Sequence, residues 1–230
     1  RGAVSHSRAR FPLARSECSL YVLIQVVSER GRIWMSKVAV LLTQGFADWE
    51  YGVLCGLGQA YFGLDIRYVT PTPGDVASMG GLVARVSDGF ELLDNWEPDA
   101  LVVVGGTLWE QPEAPDISGV LEGMHARGAV VAGICGGTLA LARAGLLNSV
   151  CHTSNDVGFL GTHAEGYAGA AQYVDQPTAL SDGGVITAPG TAPVSFAAEI
   201  MAALNAPLET VHQLKSMLGA EHKTGQKAAS

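Results

Sequence analysis

From residue 37 onward, short apolar runs alternate with stretches of helical period. Residues 37–43 form a run of the buried-strand type, and residues 48–62 place Trp49, Val53, Leu57 and Tyr61 at i, i+4 steps, the stripe of an amphipathic helix. Residues 65–70 read as a second strand, stopped by Pro71-Thr72-Pro73-Gly74 and followed by short extended pieces at 76–79 and 82–86. A third main strand at 100–104 closes on Gly105-Gly106. Residues 116–127 predict a helix with Asp116 as N-cap and Gly128 as C-cap, and 129–134 a fourth main strand. Beyond it come a helix at 138–144, a short helix at 155–163, strands at 173–174 and 185–187, and closing helices at 192–204 and 208–218. Strands linked by crossover helices predict one α/β domain over residues 35–220, a mostly parallel, doubly wound sheet with helices on both faces.

In such a sheet, ligands bind beyond the carboxyl ends of the strands. Three features fall there: the turn from Gln44 to Glu50, the Gly105-Gly106 turn, and Gly133-Ile134-Cys135-Gly136-Gly137. The last fits the G-x-(Ser/Cys)-x-G pattern of a nucleophile elbow, where flanking glycines leave room for a tight strand-to-helix turn. That turn sets the Cys135 sulfur near the free N–H groups of the next helix, which predicts a thiol biased toward thiolate. The competing reading is a plain connection, with Cys135 as a small buried apolar residue. Glu50, in the first turn of its helix, can point toward the thiol, and partial burial beside the sulfur should raise its pKa. The N–H groups of Gly106 and Gly136 can supply two donors to a developing oxyanion.

Composition narrows the partners. The chain has 230 residues, 48% of them hydrophobic, and a formal charge of -8, which argues against nucleic acid or an anionic membrane as the main partner. Residues 1–34 stand apart, with six arginines against two glutamates, so residues 35–230 carry a net charge of -12. The apolar stretch at 20–27 is too short to span a bilayer. Residues 1–34 are expected to be a disordered upstream extension or an artefact, with a transit peptide as the alternative, and 221–230 a disordered tail. Four cysteines, at 18, 55, 135 and 151, form no C-x-x-C pair, which fits a reducing, cytoplasmic setting. Cys55 reads as core, and Cys151 is ambiguous beside His152.

Four blocks occur in order: Gly45-Phe46-Ala47-Asp48-Trp49-Glu50, Val103-Val104-Gly105-Gly106, Ala132-Gly133-Ile134-Cys135-Gly136-Gly137 and Ile186-Thr187-Ala188-Pro189-Gly190-Thr191. They resemble those of the ThiJ/PfpI superfamily, of the class I glutamine-amidotransferase-like fold. The resemblance implies a flavodoxin-like three-layer sandwich and a homodimer. It also implies an easily oxidised Cys135 nucleophile hydrogen-bonded to Glu50, and an oxyanion site at Gly106 and Gly136, with no cofactor and no metal.

Superfamily members are variously described as glyoxalases or deglycases, isonitrile hydratases, peptidases, chaperones and redox sensors, so departures from each pattern matter. Members described as peptidases carry a histidine directly after the cysteine, where this chain has Gly136; the glutaminase His-x-Glu pair is replaced by Ala192-Pro193-Val194. Isonitrile-hydrating members use Asp where Glu50 stands. The expected activity is hydrolase- or lyase-type chemistry of the glyoxalase or deglycase kind on a small-molecule substrate, a reactive carbonyl compound. The alternative is a stress-responsive protein or chaperone sensing oxidation at Cys135, and amidase, isonitrile-hydratase-like or peptidase activity is a further one. His152 is the candidate histidine to reach the thiol, set against a role fixing its own loop through hydrogen bonds. Asn155 stands where members most often hold a histidine and is expected to orient substrate, and Trp109 to wall the substrate pocket.

Overall fold

Consecutive side chains of the first strand, β1 (Lys37–Leu41), go to opposite faces: Val38 and Val40 enter one apolar cluster, Ala39 and Leu41 the other. The computed structural model, which describes residues 35–220, repeats this two-sided burial in β5 (Ala100–Val103) and β6 (Val130–Ile134), as a strand covered on both faces requires. With β2 (Asp65–Val69), β7 (Leu180–Asp182) and β8 (Val185–Ala188) they form a six-stranded sheet of order β2-β1-β5-β6-β8-β7, parallel except where β7 meets β8. The remaining strands, β3 (Gly74–Ala77) and β4 (Val83–Val86), make a separate antiparallel hairpin. The doubly wound, mostly parallel α/β sandwich expected from the sequence is the fold observed. Leu41 pairs with Val103 and Val103 with Gly133, so the turns leaving β1, β5 and β6 start level at one edge of the sheet.

The helix expected over 48–62 is built in three pieces: α1 (Asp48–Gly52), a π-helical turn (Val53–Leu57) and α2 (Gly58–Tyr61). Its buried residues are Glu50, Leu54, Cys55 and Gly58, whereas Trp49 is 52% exposed. Val53, Leu57 and Tyr61 of the predicted stripe pack against the core, but Trp49 does not, and the most deeply buried positions lie one residue on. A π turn inserts an extra residue and shifts the helical phase, so that adjacent Leu54 and Cys55 both face the core. Gly58 permits the close approach, since a Cβ there would lie 2.6 Å from Leu64 Cδ1. Glu50, one turn before Leu54, is buried with it.

Elsewhere the differences are local. Helix α3 (Glu91–Trp96) and strand β7 have no counterpart in the pattern reading, and the helix expected at 116–127 runs as α4 (Ser118–Ala126). The elbow helix α5 (Gly137–Arg143) follows β6. Of residues 155–163 only α6 (Phe159–His163) is helical, because Asp156 accepts the Gly158 N–H (2.8 Å) in a turn of its own. Residues 173–174 form no strand but a single parallel bridge, Tyr173 to His152. The closing helices α7 (Pro193–Ala203) and α8 (Leu208–Leu218) stand where expected, and Pro193 sits at the start of α7, where its missing N–H costs nothing. The expectations for 1–34 and 221–230 lie outside the described residues. Among the described residues no helix is long and apolar enough to cross a membrane.

Candidate active site

Four strand ends converge on one sulfur. Cys135 follows β6 with φ +54°, a left-handed conformation that costs a non-glycine residue about 1–2 kcal/mol. Local hydrogen bonds hold it there: its N–H donates to Ala188 O (2.9 Å), and its carbonyl accepts from Thr138 N–H (3.1 Å) and Thr138 Oγ1 (2.6 Å). Thr138 is fixed in turn by Ser154 Oγ at 2.7 Å. The result is a half-buried thiol lifted off the sheet, the strained geometry a nucleophile elbow uses.

Beside it stands Glu50, fully buried after β1. Gly105, at the end of β5, donates its N–H to Oε2 (2.7 Å), while Oε1 has no conventional hydrogen-bond partner. The cradle is tight. A Cβ at Gly105 would lie 2.5 Å from Glu50 Oε2 and 2.7 Å from Cys135 Cβ; one at Gly190, after β8, would lie 3.0 Å from Sγ and 3.1 Å from Glu50 Oε1. Both glycines are therefore required by space rather than by turn conformation. Burial pushes the Glu50 carboxyl up to about 7, against the thiol contact and the Gly105 N–H, which lower it. The Cys135 thiol is pushed up to about 11, first by burial and then by the charge of Glu50. The thiolate bias expected from the helix N-terminus is overturned, because desolvation and a facing carboxylate outweigh a short helix. Glu50 and Cys135 thus influence each other's titration: between about 7 and about 11 the pair holds one proton, on sulfur, and below about 7 Glu50 takes up a second.

The other expected residues divide. Among the described residues, the N–H groups of Gly106 and Gly136 meet no backbone acceptor, and Gly136 N–H lies against the thiol. Asn155 reaches the sulfur itself, with Nδ2 at 3.3 Å from Sγ and Oδ1 accepting the Gly190 N–H at 3.0 Å. His152 does not join them. Its Nδ1 lies 2.8 Å from Val150 O and its Nε2 2.7 Å from Tyr167 Oη, so both ring nitrogens are occupied away from the thiol. A carbonyl only accepts, which makes Nδ1 the protonated nitrogen, and burial lowers the pKa and keeps the ring neutral. His152 is thus a buried anchor of the loop that carries Asn155, packed edge-on against Tyr167 and Tyr173.

Trp109 also departs from expectation. It is wholly buried, donates Nε1–H to Val104 O (2.9 Å) and packs behind the Gly136 backbone, so it supports the turn rather than walling a pocket. Two further residues belong to the site: Gly190, which escaped sequence reasoning, and Trp49, which in the sequence reads at least as well as packing beside Glu50. Exposed Trp49 donates Nε1–H to Gly190 O (2.8 Å), and Gly190 leaves no room for a Cβ beside Cys135 Sγ and Glu50 Oε1. The only sequence signal for either was its place in a recurring block. A cleft of 560 Å³ is lined by residues including Glu110, Asp116, Arg143 and His163, but by none of Cys135, Glu50, Asn155 or Gly190, so volume does not mark the chemistry. Among the described residues no group of three His, Cys, Asp or Glu is placed to hold a metal.

The chain matches the DJ-1/PfpI family over residues 36–203. It is 42% identical to a DJ-1 superfamily protein of Agrobacterium tumefaciens, whose crystal structure superposes with a TM-score of 0.77 over 82% of this chain and 100% of that one. A thiJ/pfpI family protein of Bacillus anthracis is 29% identical, with a TM-score of 0.72 over 82% of this chain and 92% of that one. The Bacillus subtilis (strain 168) protein named uncharacterized protease YoaZ is 32% identical over 177 residues, 74% of this chain and 83% of that protein. With its flavodoxin-like sheet and its cysteine elbow set against a buried glutamate, the chain belongs to the DJ-1/PfpI family.

Proposed function

We propose that this protein is an enzyme of small reactive carbonyl compounds, with Cys135 as nucleophile and Glu50 as the group that moves protons. The observation that carries this reading is the Glu50 carboxyl: fully buried, with one oxygen held by Gly105 N–H and the other unsatisfied beside the thiol. An unsatisfied buried carboxyl oxygen costs stability and is retained where it has work to do. A carboxyl that titrates at about 7 is populated both as acid and as base at neutral pH, the condition for efficient proton transfer in both directions.

For a 2-oxoaldehyde such as methylglyoxal, Sγ forms a bond to the aldehyde carbon as the C=O π bond opens. The thiol proton passes to Glu50, and the new oxyanion faces the N–H groups of Gly106 and Gly136 before it is protonated. Glu50, again a carboxylate, removes the proton from that carbon to give an enediolate and returns it to the adjacent carbon, while the hydroxyl proton on the first carbon's oxygen moves to the neighbouring oxygen. This converts the hemithioacetal into a thioester of lactate. Water cleaves the thioester, releasing lactate and the thiol. The balance is one methylglyoxal plus one water to one lactic acid, with no oxidant or reductant.

Lactate production from methylglyoxal tests this directly. Activity in the wild type that is lost in Cys135→Ala and falls by about a hundredfold or more in Glu50→Gln supports the assignment, and retained activity in either variant overturns it. YoaZ bears a protease name, but the peptidase reading is weaker for this chain: Gly136 replaces the histidine after the cysteine, and His152 is bonded elsewhere. A second reading is oxidation sensing, favoured by the free Oε1, which in its protonated form could donate to an oxygen on sulfur. Mild peroxide should then add oxygen to Cys135 before Cys55, and equal oxidation of the two would exclude it.

A further inference from the structure

Asn155 lies on an exposed stretch, yet its carboxamide has no rotational ambiguity. The Gly190 N–H can only donate, so the atom facing it at 3.0 Å must be Oδ1; the NH2 then faces Cys135 Sγ, 3.3 Å away. The same Gly190 peptide is held from its other side, where its carbonyl accepts the Trp49 Nε1–H at 2.8 Å. Trp49 keeps this bond although its ring is half exposed. The loop bearing Asn155 is secured separately: Thr153 N–H donates to Thr187 Oγ1 (2.9 Å), Ser154 Oγ meets Thr138 Oγ1, and the peptides around His152 pair with Gln172 and Val174. Trp49, Gly190, Asn155 and Cys135 thus form one continuous chain of hydrogen bonds ending on the sulfur.

We infer that Asn155 is a catalytic hydrogen-bond donor to Cys135 Sγ, held in its donating orientation by the Gly190 peptide, and that Trp49 is a positioning residue acting through that peptide. An N–H aimed at sulfur is worth more to a thiolate than to a thiol, so it opposes the burial and the Glu50 charge that favour the thiol. Asn155 cannot take a proton, which leaves proton transfer to Glu50 alone. Glu50, from the turn after β1, is the ionisable side chain whose charge acts on the sulfur; the turn after β8 and the elbow helix present uncharged Gly190 and Thr138. The inference deepens the carbonyl reading of the site by dividing the labour between two residues. It needs no substrate to be tested.

The experiment is the pH dependence of Cys135 alkylation by iodoacetamide, read by peptide mass spectrometry, in wild type, Asn155→Ala, Asn155→Asp and Trp49→Phe. Asn155→Ala should move the alkylation midpoint up by about half to one pH unit. Asn155→Asp, which sets an acceptor and a charge against the sulfur, should move it further. Trp49→Phe keeps the ring but removes the N–H, and should give a smaller shift in the same direction. Superimposable profiles for wild type, Asn155→Ala and Asn155→Asp would overturn the inference. A protein that made no lactate but showed these shifts would retain the donor assignment and lose only the substrate.

Discussion

Two thiols in this molecule are shielded from water to different ends. Cys55 lies in the π-helical turn, buried in the apolar cluster and near Tyr68, and burial pushes its thiol up to about 12. Cys135 is pushed up almost as far, to about 11, yet it is only partly buried and meets a buried carboxyl, a carboxamide N–H and the Gly136 N–H. Acidity therefore does not separate them. What separates them is access, and a neighbour able to accept the proton during the reaction rather than before it. On the proposed carbonyl chemistry, Cys135 would attack by passing its proton to Glu50 as the bond forms, not by resting as a thiolate.

Exchanging each cysteine gives the widest separation. Cys135→Ala should lower carbonyl turnover by about a thousandfold or more, while Cys55→Ala should leave it within about threefold and cost roughly 1 kcal/mol of stability, measured by kinetics and denaturant melts. The next separation is in pH. The folded Glu50 pKa of about 7 stands above the ordinary 4.5, so the folded form binds more protons between those values. Its contribution to stability is then complete below about 4.5 and lost as the pH rises through 7. The stability difference between wild type and Glu50→Gln should change by up to about 3 kcal/mol across that window. The difference between wild type and Cys55→Ala should stay flat.

The glycines beside the two sulfurs give the finest contrast. At Gly105 an added Cβ meets Glu50, Cys135 and the Ile134 carbonyl at 2.5–2.8 Å, whereas at Gly56 it meets nothing within 4 Å. Gly105→Ala should destabilise by about 1–3 kcal/mol and disturb the thiol. Gly56→Ala should stabilise by about 0.5–1 kcal/mol and leave turnover unchanged. Thermal melts of the two variants check the signs.

The sheet was legible because β1, β5 and β6 are apolar runs buried on both faces, and the elbow because two glycines follow the cysteine directly. The helix over 48–62 shows where pattern fails. Val53, Leu57 and Tyr61 of its apolar stripe do pack against the core, but Trp49 stays outside and the charged residue Glu50 is taken in. The acidity of Cys135 was misjudged for a related reason: the helix N-terminus is visible in sequence, whereas burial and the distance to a carboxylate are not. His152 and Trp109 read as site residues by proximity along the chain, yet each has its polar atoms bonded elsewhere. The Asn155 contact joins residues from separate loops, a closeness only the fold supplies.

The pairing of Glu50 with Cys135 is tested most directly by the alkylation rate of Cys135 near pH 8 in wild type and Glu50→Gln. Removing the carboxylate should return the thiol part of the way toward its ordinary 9.0. Because a less basic thiolate is also a weaker nucleophile, the rate should rise by about two- to tenfold. Iodoacetamide draws on the thiolate already present, so an unchanged or slower rate in Glu50→Gln, with the fold intact, would contradict the action of the Glu50 charge on the sulfur.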